Sequence, residues 1–296
     1  MCARPLVQRN LALAPLTTYK LGGPAAWFAE VADAGELEVA RSSVPEGTQT
    51  MVLGRGSNIV FSDAGFDGLV IKLGGEFLEV DVADATVSAG GGVALPRLAR
   101  LAAAAGRGGL EFYVGIPGSV GGAVCMNAGG HGADTAAVLL DARILRHGAN
   151  RAHIEQPAGL DLRYRSSNLG DGDIVISARF ATTPVAPDVA EGRLRAITRW
   201  RKEHQPGGTL NAGSVFKNPP GDAAGRIIDD LGLKGYRRGA VSISTLHANF
   251  FAADPGATAE DVWQLVHDVR RRVGEATGVW LEPEIRFVGE FRGASS

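Results

Sequence analysis

The placement of the glycines constrains this chain more than any other feature. There are 41 in 296 residues, and many stand in short clusters directly after apolar runs. A residue without Cβ lets the backbone approach another backbone or a ligand closely, so such clusters mark tight loops at strand ends. No strict Gly-X-Y period joins them, which excludes a collagen triple helix. Met51-Val52-Leu53 reads as a short buried strand that stops at Gly54 and opens the loop Gly54-Arg55-Gly56-Ser57-Asn58. Its N–H groups can turn inward as a nest for phosphate oxygens. The loop is not a G-x-G-x-x-G fingerprint, because Ile59 stands where the third glycine belongs, and no Gly-Lys-Ser/Thr follows as a Walker loop needs. On its own it reads equally as a tight turn.

The segment from Gly109 to Gly130 carries a second cluster, with Gly115, Gly118, Gly121 and Gly122 punctuating an apolar stretch. A buried turn packed on a helix explains such spacing, but the density of small residues favours backbone that wraps a large flat cofactor.

Around these loops the pattern is mixed α and β. Leu69 to Leu73, Thr86 to Ala89, Val138 to Leu145 and Ile174 to Phe180 read as strands, and Leu95 to Ala105 as a helix ending near Gly106. A boundary falls at Thr182 to Pro187, followed by a helical stretch, Val189 to Glu203. Thr258 is a candidate N-cap for an amphipathic helix in which Val262, Leu265, Val266, Val269 and Val273 share a face, and Leu281 to Val288 reads as a closing strand.

Three further clusters offer chemistry. Ala212 to Pro219 gathers a hydroxyl, Ser214, with Lys217 and Asn218; a lone serine is more often a cap or a turn residue, but the neighbouring ammonium invites an anion. In Tyr164-Arg165-Ser166-Ser167 the guanidinium suits a carboxylate through its bidentate fork. Leu281-Glu282-Pro283-Glu284-Ile285-Arg286 adds carboxyls. The six histidines show no H-E-x-x-H or similar spacing, so no metal is expected. The net charge of −2 gives no basic excess for nucleic acid or an anionic membrane. No run approaches the roughly 20 apolar residues of a membrane span, and Met1 to Leu16, broken by Gln8, Arg9 and Asn10, makes a poor signal peptide. Cys2 and Cys125, neither in a C-x-x-C, fit a reduced cytoplasmic protein.

Taken in order, Leu16-Thr17-Thr18-Tyr19 with Gly22-Gly23-Pro24-Ala25, the Gly54 to Asn58 loop, Gly115 to Gly129, Tyr164-Arg165, Ala212 to Pro219 and Leu281 to Arg286 resemble the UDP-N-acetylenolpyruvoylglucosamine reductases over nearly the whole chain. The resemblance implies an α+β protein with the FAD-binding fold of the vanillyl-alcohol oxidase / p-cresol methylhydroxylase type. Its two α+β subdomains, at 1–75 and 76–185, would be joined by a C-terminal α+β substrate-binding domain at 186–296. Only ~49 positions separate Arg165 from Ser214 and none holds a tyrosine. The chain therefore looks like the shorter, type II branch, which lacks the insertion with a substrate-clasping tyrosine.

The implied activity is the NADPH-driven, FAD-dependent reduction of UDP-N-acetylglucosamine enolpyruvate to UDP-N-acetylmuramate, for peptidoglycan, in the cytoplasm. Bound, non-covalent FAD is implied, and a monomer is expected. Gly54, Arg55, Gly56, Ser57, Asn58, Gly115, Ile116, Pro117, Gly118, Ser119, Gly121, Gly122, Asn127 and Ala128 would hold FAD. Tyr164, Lys217 and Asn218 would bind substrate. Ser214 would donate a proton, Arg165 would stabilise charge, and Glu284, expected with a raised pKa, would polarise the substrate carboxylate; Glu282 is expected to point away from the site. His247-Ala248-Asn249-Phe250 matches a further family segment without individual roles.

Three rivals stand beside this reading. Another flavin oxidoreductase of the same fold, an alcohol or sugar oxidase, would need the glycine loops but not Ser214, Lys217 and Glu284. A serine hydrolase on Ser214 and His247 lacks the G-x-S-x-G elbow, since Ala212 and Phe216 flank the serine. A degenerate FAD-holding module would not need all three catalytic positions filled.

Overall fold

The structure, a computed structural model, describes residues 5–292. The chain divides into two compact units that are discontinuous in sequence. The first comprises 1–9, 27–55 and 68–201, and the second 10–26, 56–67 and 202–296. The boundaries expected at 75/76 and 185/186 cut the chain consecutively, whereas the helix Pro187–His204 lies almost wholly in the first unit.

The first unit is built on two sheets. A four-stranded sheet takes Val7–Ala12, Pro24–Val31, Phe66–Leu73 and Thr50–Val52 in that order, the last pair parallel with Met51 opposite Val70. Ala29, Val31, Leu69 and Ile71 bury one face against the helix Ala34–Ser42, whose Asp33 cap accepts a hydrogen bond from the Glu36 N–H at 2.8 Å. A five-stranded antiparallel sheet orders His153–Glu155, Leu139–Leu145, Ile174–Ala181, Thr86–Gly90 and Val80–Val82. The strand expected from Val138 starts one residue later, because Thr135–Val138 forms a helical turn capped by Asp134. Register shifts at Leu139/Asp141 and Arg143/Ile144 break simple alternation along it, so buried side chains do not fall at every second position. The helix Leu95–Ala104 presses Leu95, Leu98, Ala99 and Ala102 into this core beside Tyr113 and Phe180.

The second unit holds the helices Ala224–Asp230 and Ala259–Thr277, the three-stranded sheet Arg237–Arg238, Val241–Ile243, Phe251–Ala253, and the parallel pair Ile59–Phe61 with Arg286–Val288. The expected face Val262, Leu265, Val266, Val269 and Val273 is wholly buried; each such side chain contributes roughly 1.5–3 kcal/mol. Thr258 caps the helix in a capping box with Asp261. Asp63, from a distant stretch, accepts the Ala259 N–H at 2.9 Å and the Glu260 N–H at 3.0 Å. Gly278, at φ +76°, ends the helix. Tyr19 packs in the same core and donates its hydroxyl to the Phe251 carbonyl at 2.9 Å.

The strand expected over Leu281 to Val288 is regular only at Arg286–Val288, with an isolated bridge at Pro283. Proline has no N–H to give a ladder, so the segment before it cannot be a continuous strand.

Candidate active site

In the second unit the segment 214–217 runs between two others. On one side Ser214 bridges Phe250 and the Val215 N–H donates to the Asn249 carbonyl at 2.8 Å. On the other, Phe216 bridges Pro283, the Glu284 N–H donates to the Val215 carbonyl at 2.7 Å, and the Lys217 N–H donates to the Glu282 carbonyl at 2.9 Å. Val215 and Phe216 are buried and anchor the segment, while Ser214 and Glu284 are half-buried on adjacent stretches. Backbone pairing therefore brings together two of the three expected catalytic residues; Arg165 belongs to the other unit.

Glu282 does not stand apart from the expected site residues. Its carboxylate lies 2.6 Å from Lys217 Nζ, with the lysine side chain only 19% exposed. Residues two apart on extended chain share a face, so strand alternation gives no reason for Glu282 and Glu284 to diverge. The amide of Asn218 caps the helix Ala224–Asp230, its Oδ1 accepting the Ala224 N–H at 3.1 Å.

Gly56 has φ +61°, and a Cβ there would lie 2.7 Å from Thr17 Cα. Its carbonyl accepts from Thr18 N at 3.0 Å and Thr18 Oγ1 at 3.2 Å. Packing and dihedral both require glycine here, whatever the loop binds. Asn58 donates through Nδ2 to the Glu284 carbonyl at 3.0 Å and accepts through its own carbonyl from the Arg286 N–H at 3.0 Å. Among the described residues none accepts a hydrogen bond from the N–H of Gly56, which is buried, or of Ser57, which is half-buried.

In the first unit Gly54 abuts Ser119, whose Oγ occupies the space a Cβ on Gly54 would need. Arg55 is exposed. Ser119 caps the short helix Val120–Cys125, its Oγ accepting the Gly122 N–H at 3.3 Å. Val120 and Gly121 donate to the Val93 and Gly91 carbonyls at 2.9 and 2.8 Å, and the Gly118 carbonyl accepts from Leu95 at 3.0 Å. These bonds lock the loop's shape and leave Pro117 and Gly122 on its exposed side, with Ile116 and Gly118 half-buried. Gly115 is walled by Ile197, Arg201 and His131; burial and the nearby Arg201 charge hold the His131 imidazole below its ordinary range.

Asn127 is buried and its amide is fully engaged. Its Oδ1 accepts the Ala136 N–H at 2.8 Å, and its Nδ2 donates to the Arg163 carbonyl at 3.1 Å and to Asp134 at 3.3 Å. The Ala128 carbonyl accepts from Thr135. Arg165, at φ +54°, donates to the Gly129 carbonyl at 2.8 Å and lies 5.0 Å from the ring of Tyr164, which is exposed. The strained backbone at Arg165 is held by this glycine segment, so the loop at 127–129 and the guanidinium are one structural assembly.

Locked glycine loops with unengaged N–H groups are residues that fit FAD. Among the described residues no group of His, Cys, Asp or Glu is arranged to hold a metal ion, and no helix is long and apolar enough to cross a membrane. Cys125 is half-buried, and Cys2 lies outside the described residues. Sequence reasoning missed Asp63 and the side-chain bonds of Asn249 described below; both act on partners far away in the chain, so no local pattern announces them.

A family profile described as an FAD binding domain matches residues 28–148. With a four-stranded sheet that holds a parallel pair, a five-stranded antiparallel sheet and glycine loops, the molecule is an α+β flavoprotein with the vanillyl-alcohol oxidase type of FAD-binding fold. A second profile, described as the UDP-N-acetylenolpyruvoylglucosamine reductase C-terminal domain, matches 205–288. UDP-N-acetylenolpyruvoylglucosamine reductase 2 of Symbiobacterium thermophilum is 44% identical over 275 residues, 92% of this chain and 89% of its own length. The reductase of Rubrobacter xylanophilus is 44% identical over 277 residues, 93% and 92% of the two chains. The crystal structure of the Thermus caldophilus reductase superposes with a TM-score of 0.83 at 39% identity, over 96% of this chain and 99% of that one. The chain belongs to the UDP-N-acetylenolpyruvoylglucosamine reductase family.

Proposed function

We propose that this chain catalyses the FAD-dependent, NADPH-using reduction of UDP-N-acetylglucosamine enolpyruvate to UDP-N-acetylmuramate, a step toward peptidoglycan, as a monomer in the cytoplasm. The observation that carries the reading is the pinning of Ser214 and Glu284 on adjacent segments by the 2.7 Å bond from Glu284 N–H to the Val215 carbonyl. It lies within the stretch that matches the reductase C-terminal profile.

The enolpyruvyl group is an electron-poor alkene on a carboxylate; once its terminal carbon gains a hydride, charge moves into the carboxylate and the α-carbon needs a proton. FAD, when bound, supplies the hydride chemistry that links NADPH to the substrate. Ser214 Oγ–H gives the proton to the α-carbon; a hydroxyl is a weak acid, so only a strongly basic carbanion takes it. Arg165 neutralises the charge on the carboxylate, and Glu284 acts protonated, since a carboxylate there would repel the anion. Lys217 and Asn218 bind the anionic parts of the substrate, and Tyr164 lines its path. Gly54, Arg55, Gly56, Ser57 and Asn58 hold FAD by backbone and side-chain donors, while Gly115, Ile116, Pro117, Gly118, Ser119, Gly121 and Gly122 hold it by close approach of a locked backbone. Asn127 and Ala128 shape that loop. Apart from Tyr164 and Arg165, residues 1–75 and 76–185 serve the cofactor, and 186–296 serve the substrate.

Purified protein should be yellow and should oxidise NADPH only when the enolpyruvyl sugar nucleotide is present. A colourless protein, or a yellow one that oxidises alcohols with oxygen, overturns the reading.

A further inference from the structure

Asn249 is 3% exposed and carries a side chain that performs the work of a missing strand. Its Oδ1 accepts the Phe216 N–H at 2.9 Å, and its Nδ2 donates to the Phe216 carbonyl at 2.8 Å. Its backbone carbonyl takes the Val215 N–H at 2.8 Å. Its own N–H donates to His247 Nδ1 at 3.2 Å. One residue therefore meets both polar backbone groups of Phe216 and the N–H before it. The pairing that begins at the Ser214–Phe250 bridge is continued by an amide side chain instead of by backbone. Near neutral pH a primary amide offers a donor and an acceptor side by side in one plane, as a peptide does; among the other side chains only a protonated carboxyl matches that pattern.

We propose that Asn249 is a positioning residue: its buried amide braces Phe216 and thereby sets where the Ser214 hydroxyl stands for proton delivery. The proposal rests on the assignment of Ser214 as proton donor. Ser214 is two residues from the brace, next to Gly213 at φ +74°, where the chain has least stiffness of its own. Without the amide, the Phe216 N–H and carbonyl must find other partners, and the segment shifts with them. A displacement of the order of 1 Å costs a positioned group about 10²-fold in rate.

The experiment separates two half-reactions of the FAD-loaded enzyme by anaerobic stopped flow. In Asn249→Ser, bleaching by NADPH should stay within about 2-fold of the parent, and reoxidation by the enolpyruvyl substrate should fall by about 10- to 100-fold. Hydrogen exchange at the Val215 and Phe216 amides should quicken while exchange in the helix Ala259–Thr277 does not. Asn249→Asp supplies a rescue. A protonated aspartic acid reproduces the donor–acceptor pair and an ionised one does not, so its reoxidation rate should recover on acidification relative to the parent, which carries the same neighbouring His247. Ser214→Ala,Asn249→Ser should be no slower than Ser214→Ala alone. Loss of bound FAD with both half-reactions slowed together makes Asn249 merely structural and overturns the proposal. So does parental reoxidation in Asn249→Ser, or a double variant well below Ser214→Ala. Full turnover in Ser214→Ala is a different result: it sinks the proton-donor assignment itself.

Discussion

Ser214 is fixed through backbone bonds made by Val215 and Phe216, so its hydroxyl can be deleted without releasing the chain. Ser214→Ala is expected to keep its FAD and its bleaching by NADPH while turnover drops about 10²–10⁴-fold, read by stopped-flow absorbance. Glu284 is held by its N–H bond to Val215, so Glu284→Gln should likewise retain FAD and lose rate; full turnover in that variant removes Glu284 from the chemistry. His247 gives a pH signature. Burial, aided by the Lys234 charge, holds its imidazole below the ordinary 6.5, and its Nδ1 must stay unprotonated to accept the Asn249 N–H. The unfolded chain then takes up a proton before the folded one. The contribution is complete above about pH 6.5 and is lost as pH falls through the lowered folded value. Melting temperatures measured from pH 7.5 to 5 should fall more steeply in the parent than in His247→Gln.

At the scale of elements, the helix Ala259–Thr277 shows what local sequence can and cannot specify. Its apolar face and Thr258 cap are legible because each is set by residues a few positions apart. Removing the cap in Thr258→Ala should cost about 1 kcal/mol, and Leu265→Ala about 2–5 kcal/mol because Leu265 is wholly buried; chemical denaturation measures both. Asp63 satisfies two N–H groups of the same helix from 196 residues away, and nothing near Thr258 hints at it. The strand expected over Leu281 to Val288 shortens to Arg286–Val288, because Pro283 has no N–H to give a ladder. The short strands Val241–Ile243 and Phe251–Ala253 went unread, since three residues carry no period. In the site, the clusters around Ser214, Arg165 and Glu284 offer chemistry in the sequence, but their individual roles come only from the resemblance; each alone looks like a surface or turn residue. The Lys217–Glu282 pair joins residues 65 apart, and such pairing is invisible along the chain.

For the whole molecule, FAD that binds only the folded form should raise stability by about 2.7 kcal/mol at a concentration 100 times its Kd. The apo-protein should therefore melt lower than the loaded one, and adding FAD should restore the difference; equal melting temperatures would remove FAD as a ligand of the folded state. The second unit draws its core from three separated stretches, with Tyr19 and Val60 seated among residues of the last third. During synthesis, Tyr19 and the strand Ile59–Phe61 leave the ribosome long before Phe251 and Arg286–Val288 exist to receive them. A fragment cut to the last third would expose the seat of Tyr19 and the unpaired edge of Arg286–Val288. Such a truncation should aggregate rather than stand in for the substrate-handling half in screening, whereas coexpression with residues 10–67 supplies the missing pieces.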